Sequence, residues 1–176
     1  MKKVFKNSVK PLVVALIAAM LVFIDSLIAP LFLTGATFVW IAFINWNQFF
    51  GSNFIDRFKA IIGYIIGFFC ANAMITIGNN IDNIFNVNLI NISLGVILAV
   101  FIINFFMMYL EHVKKLFLDS IPGIIVGIAI TFSGAGVFFS ANDPKLLIII
   151  IIYGILGLLS GLATNFFVQK INKTSN

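Results

Sequence analysis

Four stretches of this chain carry no charge and are each long enough for an α-helix to cross a bilayer. They are Ala60 to Ile81, Asn83 to Leu110, Ser120 to Asn142 and Leu146 to Gln169. A helix needs about 20 apolar residues to cover the hydrocarbon core. Between Lys10 and Asp56 the only charge is Asp25, and those 45 residues leave room for two more spans. A soluble domain of 176 residues would need more polar surface than a chain 61% hydrophobic and 10% charged can supply. The expected fold is therefore an all-α membrane protein: one integral domain over residues 1–176 with six transmembrane helices and the lipid bilayer as its solvent.

The expected spans run near Pro11–Ala29, Leu31–Phe50, Phe58–Gly78, Leu89–Leu110, Ser120–Ser140 and Pro144–Gln169. Pro30 and Pro122 fall where helices start, a position that suits a residue with no N–H to leave unpaired. The asparagine-rich NNIDNIFNVN at Asn79–Asn88 reads as an outer loop, and SGAG at Ser133–Gly136 as either a flexible stretch or the end of a helix. Met1 to Ile24 imitates a secretory leader. No small-x-small cleavage site follows it, so a retained first span is expected.

The formal charge of +5 is not spread as a nucleic-acid binder would spread it. Lys2, Lys3, Lys6, Lys10, Arg57, Lys59, Lys114, Lys115, Lys170 and Lys173 all fall on one face of a six-span arrangement, and Lys145 alone on the other. By the positive-inside rule that face is cytoplasmic, with both termini.

The chain also repeats itself. FIDSLIAPLFLTG from Phe23 and FLDSIPGIIVG from Phe117 put their Asp-Ser pairs, Asp25-Ser26 and Asp119-Ser120, 94 positions apart. GFFCANA from Gly67 and GLLSGLA from Gly157 stand 90 apart. Phrases in one order with drifting spacing suggest duplicated units, about 11–80 and 89–169. With three spans in each, the second copy would be inverted in the membrane, the 3+3 plan of many transporters and channels.

The stretch SIPGIIVGIAITFSGAG, followed by NDPKLLIIIIIYGILGLLSGLATNFF, resembles the YcdZ-like bacterial inner-membrane proteins, the domain of unknown function 1097 family. The likeness rests on Pro122-Gly123, Thr131-Phe132, Asp143 with Lys145, and Gly154, Gly157 and Gly161, and it covers spans two to six. Ala36 and Thr37 stand where the resemblance would put a cysteine. It implies a compact multi-span membrane protein and supplies no activity.

No enzyme constellation is visible: one histidine, no phosphate loop, no paired carboxylates and no metal-ligand spacing. Catalytic residues, cofactor and metal are all expected to be absent. Gly63 and Gly67, Gly123 and Gly127, and Gly157 and Gly161 are each four apart and suit close helix packing. Asn72 and Asn104 lie deep in apolar runs, as helix-to-helix hydrogen bonding or as the lining of a polar path. Asp119 has the order of a helix cap. Asp25 lies inside an apolar run, where a carboxylate is costly and marks function. Trp40 and Trp46 read as interface anchors.

The functional expectation is passage of a small solute or ion, with Asp25, Asp119, Asn72 and Asn104 along the path. The alternative is a membrane subunit or scaffold that docks through its glycine faces. So thin a bundle is compatible with a homo-oligomer.

Overall fold

The computed structural model describes residues 2–33, 36–48, 54–85, 88–89, 92–114, 120–135, 138–140 and 142–174. They form six α-helices: α1 (Lys2–Ile28), α2 (Val39–Gln48), α3 (Phe54–Phe85), α4 (Leu94–Lys114), α5 (Ile121–Ala135) and α6 (Pro144–Thr174). A 3-10 turn, Ala29–Leu31, follows α1, and the two-residue strands Asn88–Leu89 and Ile92–Ser93 pair antiparallel before α4.

Three helices are long and apolar enough to cross a membrane, over Pro11–Leu31, Ile55–Ile84 and Pro144–Lys170. Shorter apolar helices cover Leu94–Leu110 and Ile121–Gly134, and α2 has only ten residues. Among the described residues there are thus six α-helices, three of them of full spanning length.

Local chemistry explains the differences from the expected spans. After Pro30 the Phe32 and Leu33 amides both return to the Ala29 carbonyl, at 3.0 and 3.1 Å, which tightens the turn. Residues 36–38 lie outside any helix, and α2 opens only at Val39. At the asparagine-rich stretch the opposite happens. Helix α3 continues to Phe85, so most of the expected loop is helical. Helix α5 ends at Ala135, where the Gly134 carbonyl accepts the amides of Phe138 and Phe139 at 3.1 and 3.3 Å. Helix α6 starts as its sequence suggests. Asp143 Oδ1 accepts the Lys145 amide at 2.9 Å, and Pro144 sits at the first helical position.

The described chain divides into two units, residues 1–57 with 151–176, and residues 58–150. The first holds α1, α2 and the length of α6 from Ile151. The second holds α3 from Phe58, α4, α5 and the opening of α6.

In the second unit, α3 and α5 touch through backbone. A methyl group on Gly63 would lie 2.8 Å from the Gly123 carbonyl carbon, and one on Gly67 would lie 2.9 Å from the Gly127 Cα. Both helices advance by four residues together, so they run parallel. The core beside them is Ala71, Met74, Ala99, Met107, Ile124 and Ile128.

In the first unit, α2 and α6 keep the same kind of step. Tyr153 packs its ring against Phe38, Gly157 meets Ala42 and Asn45, and Gly161 faces Trp46. These pairs advance in fours on both helices, so α2 and α6 are also parallel. Among the described side chains of α1 the fully buried ones form a narrow stripe, Leu21 and Asp25, continued by Ala29 in the turn. Leu12, Leu16, Met20, Phe23 and Leu27 are exposed, a surface suited to lipid.

Gly67→Ala should lower stability by about 1–3 kcal/mol, because its new methyl meets only backbone and the helices must part. Gly134→Ala should cost clearly less, since its methyl meets the movable Leu146 Cδ1. Thermal melting of both variants in detergent compares the two.

Candidate functional site

Asp25 is 3% exposed in the apolar run that carries α1. Its Oδ1 accepts the Phe38 amide at 3.0 Å and the Tyr153 hydroxyl at 2.6 Å. The Phe38 amide lies one residue before α2, where helix amides have no intrahelical carbonyl and the dipole favours negative charge. The Phe38 and Tyr153 rings meet edge to face, with centroids 5.9 Å apart. One buried acidic oxygen thus joins α1, the entry to α2 and α6 through two uncharged donors.

A second carboxylate, one that sequence reasoning left in a loop, is used the same way. Asp82 is 8% exposed in α3, and its Oδ1 accepts the Gly95 amide at 2.7 Å, in the first turn of α4. Acceptor and donor are 13 residues apart in both cases. A side chain at Gly95 would crowd the Gly78 carbonyl and sit 2.9 Å from Asp82 Oδ1, so the residue must be small for the carboxylate to approach.

The other expected site residues fare differently. Asp119 lies outside the described residues. The two Asp-Ser phrases stand in different settings. Ser26 is within α1 and donates to the Phe23 carbonyl at 2.7 Å, whereas Ser120 precedes α5 and its carbonyl accepts the Ile124 amide. Asn72 is buried in α3, donates Nδ2 to the Phe68 carbonyl at 3.0 Å and leaves Oδ1 without a partner. Asn104 is half-buried on α4. Asn72 therefore bonds to its own helix and not to a neighbour. Thr131, Ser160 and Thr164 do the same, each donating to the carbonyl four residues earlier.

Near the far end of α2 is a group that the sequence reading scattered. Asn45 is fully buried and donates Nδ2 to the Ile41 carbonyl at 2.8 Å, leaving its Oδ1 unpartnered. Trp46 is buried with its Nε1 unpartnered, so it is not an interface anchor. Arg57, expected in a cytoplasmic turn, is 3% exposed in the first turns of α3. Among the described residues no group of three or more His, Cys, Asp or Glu could hold a metal.

The fold defines a helical protein with membrane-length apolar helices and a carboxylate buried in one of them. The sequence model for a protein family of unknown function, domain of unknown function 1097, matches residues 12–169, and the chain belongs to that family. No curated protein and no solved structure matches it.

Asp25 and Tyr153 should be energetically coupled. In a double-mutant cycle of Asp25→Asn and Tyr153→Phe, followed by denaturation in detergent, the coupling should be roughly 0.5–3 kcal/mol. Simple additivity would mean that the hydroxyl contributes nothing specific to the carboxylate.

Proposed function

We propose that this protein crosses the bacterial cytoplasmic membrane six times, with both termini in the cytoplasm, and passes a small solute or ion. The observation that carries the reading is Asp25: a carboxylate buried in an apolar span, beside a break in helical structure, held by an amide and a phenol. Such residues are costly at membrane depth and mark pathways, and broken helices with their amino termini at charged groups are the usual way to build them. The second crossing is then a broken element, with the 3-10 turn, residues 36–38 and α2 sharing the thickness. Irregular backbone at that depth must be buried in protein or line a wet cavity. Asp25, Asn72, Asn104 and Asp119 are the residues assigned to the path.

A 3+3 inverted repeat is part of the same proposal. Its support is the exchange of third helices: α1 and α2 share a unit with α6, while α4 and α5 share one with α3. Each third helix runs parallel to the middle helix of the other half. Gly67 and Gly157 are each the fourteenth residue of their helices. The rival reading, a scaffold that docks through its glycines, is weakened because these glycines face residues of the same chain.

Flux through purified protein in liposomes, against a panel of small ions and neutral solutes, should reveal a conducted species. Asp25→Asn should lower that flux about tenfold or more while circular dichroism remains that of the parent; equal flux would remove Asp25 from the path. In a Cys70→Ser background, Asn72→Cys and Asn104→Cys should react with a water-soluble thiol reagent. Protection at both positions would count against a wet path and favour the scaffold.

A further inference from the structure

Only one oxygen of the buried carboxylate is engaged. Asp25 Oδ1 accepts both donors, the Phe38 amide and the Tyr153 hydroxyl. Oδ2 has no hydrogen-bond partner among the described residues, and it is not one of the buried atoms left without a partner. The small part of Asp25 that reaches the surface, 3%, therefore includes this oxygen.

No cation holds the carboxylate ionised. Along α1, the turn and α2 the nearest charges are Lys10, 15 positions before Asp25, and Asp56, 31 positions after it. Helix α6 carries no acidic residue, and the base nearest to Tyr153 on it is Lys145, eight positions earlier. Along their helices Lys10 and Lys145 stand about 22 and 12 Å away. Among the described residues Tyr153 is thus the one titratable group bonded to Asp25, and both donors are uncharged.

Two neutral donors on one oxygen suit both forms of the side chain. A protonated carboxyl has one O–H and keeps its other oxygen as an acceptor. A proton added at Oδ2 leaves Oδ1 as the carbonyl oxygen, with the amide and the phenol still bonded to it. Charge is gained or lost without α1, α2 and α6 letting go of one another, which an ion pair would not allow. A proton also needs no cavity, only a lone pair that water can reach.

We infer that Asp25 is a reversible proton-binding site. Water delivers a proton to Oδ2, an O–H bond forms and the carboxylate becomes a neutral acid; the reverse step returns the proton to water. This proton is the ion coupled to the passage proposed above. The coupling rests on that reading, and the site does not.

Infrared difference spectra of the purified full chain, across the pH range in which its circular dichroism holds, test the site. A carboxylic-acid carbonyl band should appear as the pH falls and be missing from Asp25→Asn, whose amide oxygen can still accept both donors. Tyr153→Phe keeps the acid and removes one bond to its carbonyl oxygen, so the band should shift to higher frequency. That arm stands even if Asp25→Asn misfolds. In liposomes with an entrapped pH indicator, protons should move with a conducted solute in the parent, and Asp25→Asn should lose that movement. A band that Asp25→Asn does not remove, that Tyr153→Phe does not shift, or that is present at every pH or at none would overturn the site. Solute flux without proton movement would overturn the coupling. A titrating Asp25 band with no flux for any solute would support the site and count against the transport reading alone.

Discussion

The carboxylate of Asp25 is the constraint on which the first unit depends. Among its described side chains, α1 and the turn after it fully bury Leu21, Asp25 and Ala29, and the polar member of that stripe makes the directional contacts. Without the carboxylate, the Phe38 amide and Tyr153 hydroxyl would lose their acceptor at a buried site, at a cost of roughly 1–3 kcal/mol each. The exposed apolar residues of α1, among them Leu12, Leu16, Met20, Phe23 and Leu27, cannot replace them.

Once Asp25 fixes the entry to α2, the remainder of that helix is set by contact with α6. Tyr153, Gly157 and Gly161 follow one face of α6 at intervals of four, so the parallel partner can lie close along its whole length. Parallel neighbours place like ends of their dipoles together, an unfavourable arrangement. Groups beside α2 oppose it: an acidic oxygen of α1 at its amino end and the α3 guanidinium of Arg57, close to the same Gly161 that Trp46 faces. The second unit makes its parallel pair from α3 and α5 and adds Asp82 at the amino end of α4.

Much of this was legible in the sequence, and the failures have physical causes. Hydropathy located the apolar segments, and the absence of charge around Asp25 singled it out. The spacing of Gly63 with Gly67 and of Gly123 with Gly127 announced a close contact, though not which helices would share it. Hydropathy could not reveal that residues 36–38 leave the helix, because an apolar segment scores alike whether helical or extended. Asp82 was missed because its asparagine neighbours resemble a loop, while its partner, an amide 13 residues on, has no side-chain signature. Tyr153 was the only polar residue in an isoleucine run, a signal that could have been read. Arg57 and Trp46 were judged separately by residue type, and only the tertiary structure brings them to one glycine.

The distances along the chain between partners set an order on assembly. Phe38 follows Asp25 by 13 residues, whereas Tyr153 follows it by 128. A ribosome therefore delivers the amide early and the phenol only as the last helix emerges. The contacts between α3 and α5 are complete by Gly127, before any of Tyr153, Gly157 or Gly161 has been made. The second unit can close during synthesis, while α1 and α2 must wait for the carboxy-terminal helix. A nascent chain halted before Tyr153 would hold its acidic side chain half-satisfied in an apolar setting. Quality control in the membrane can recognise such a state, and truncations of α6 should be degraded even though they remove nothing from α1.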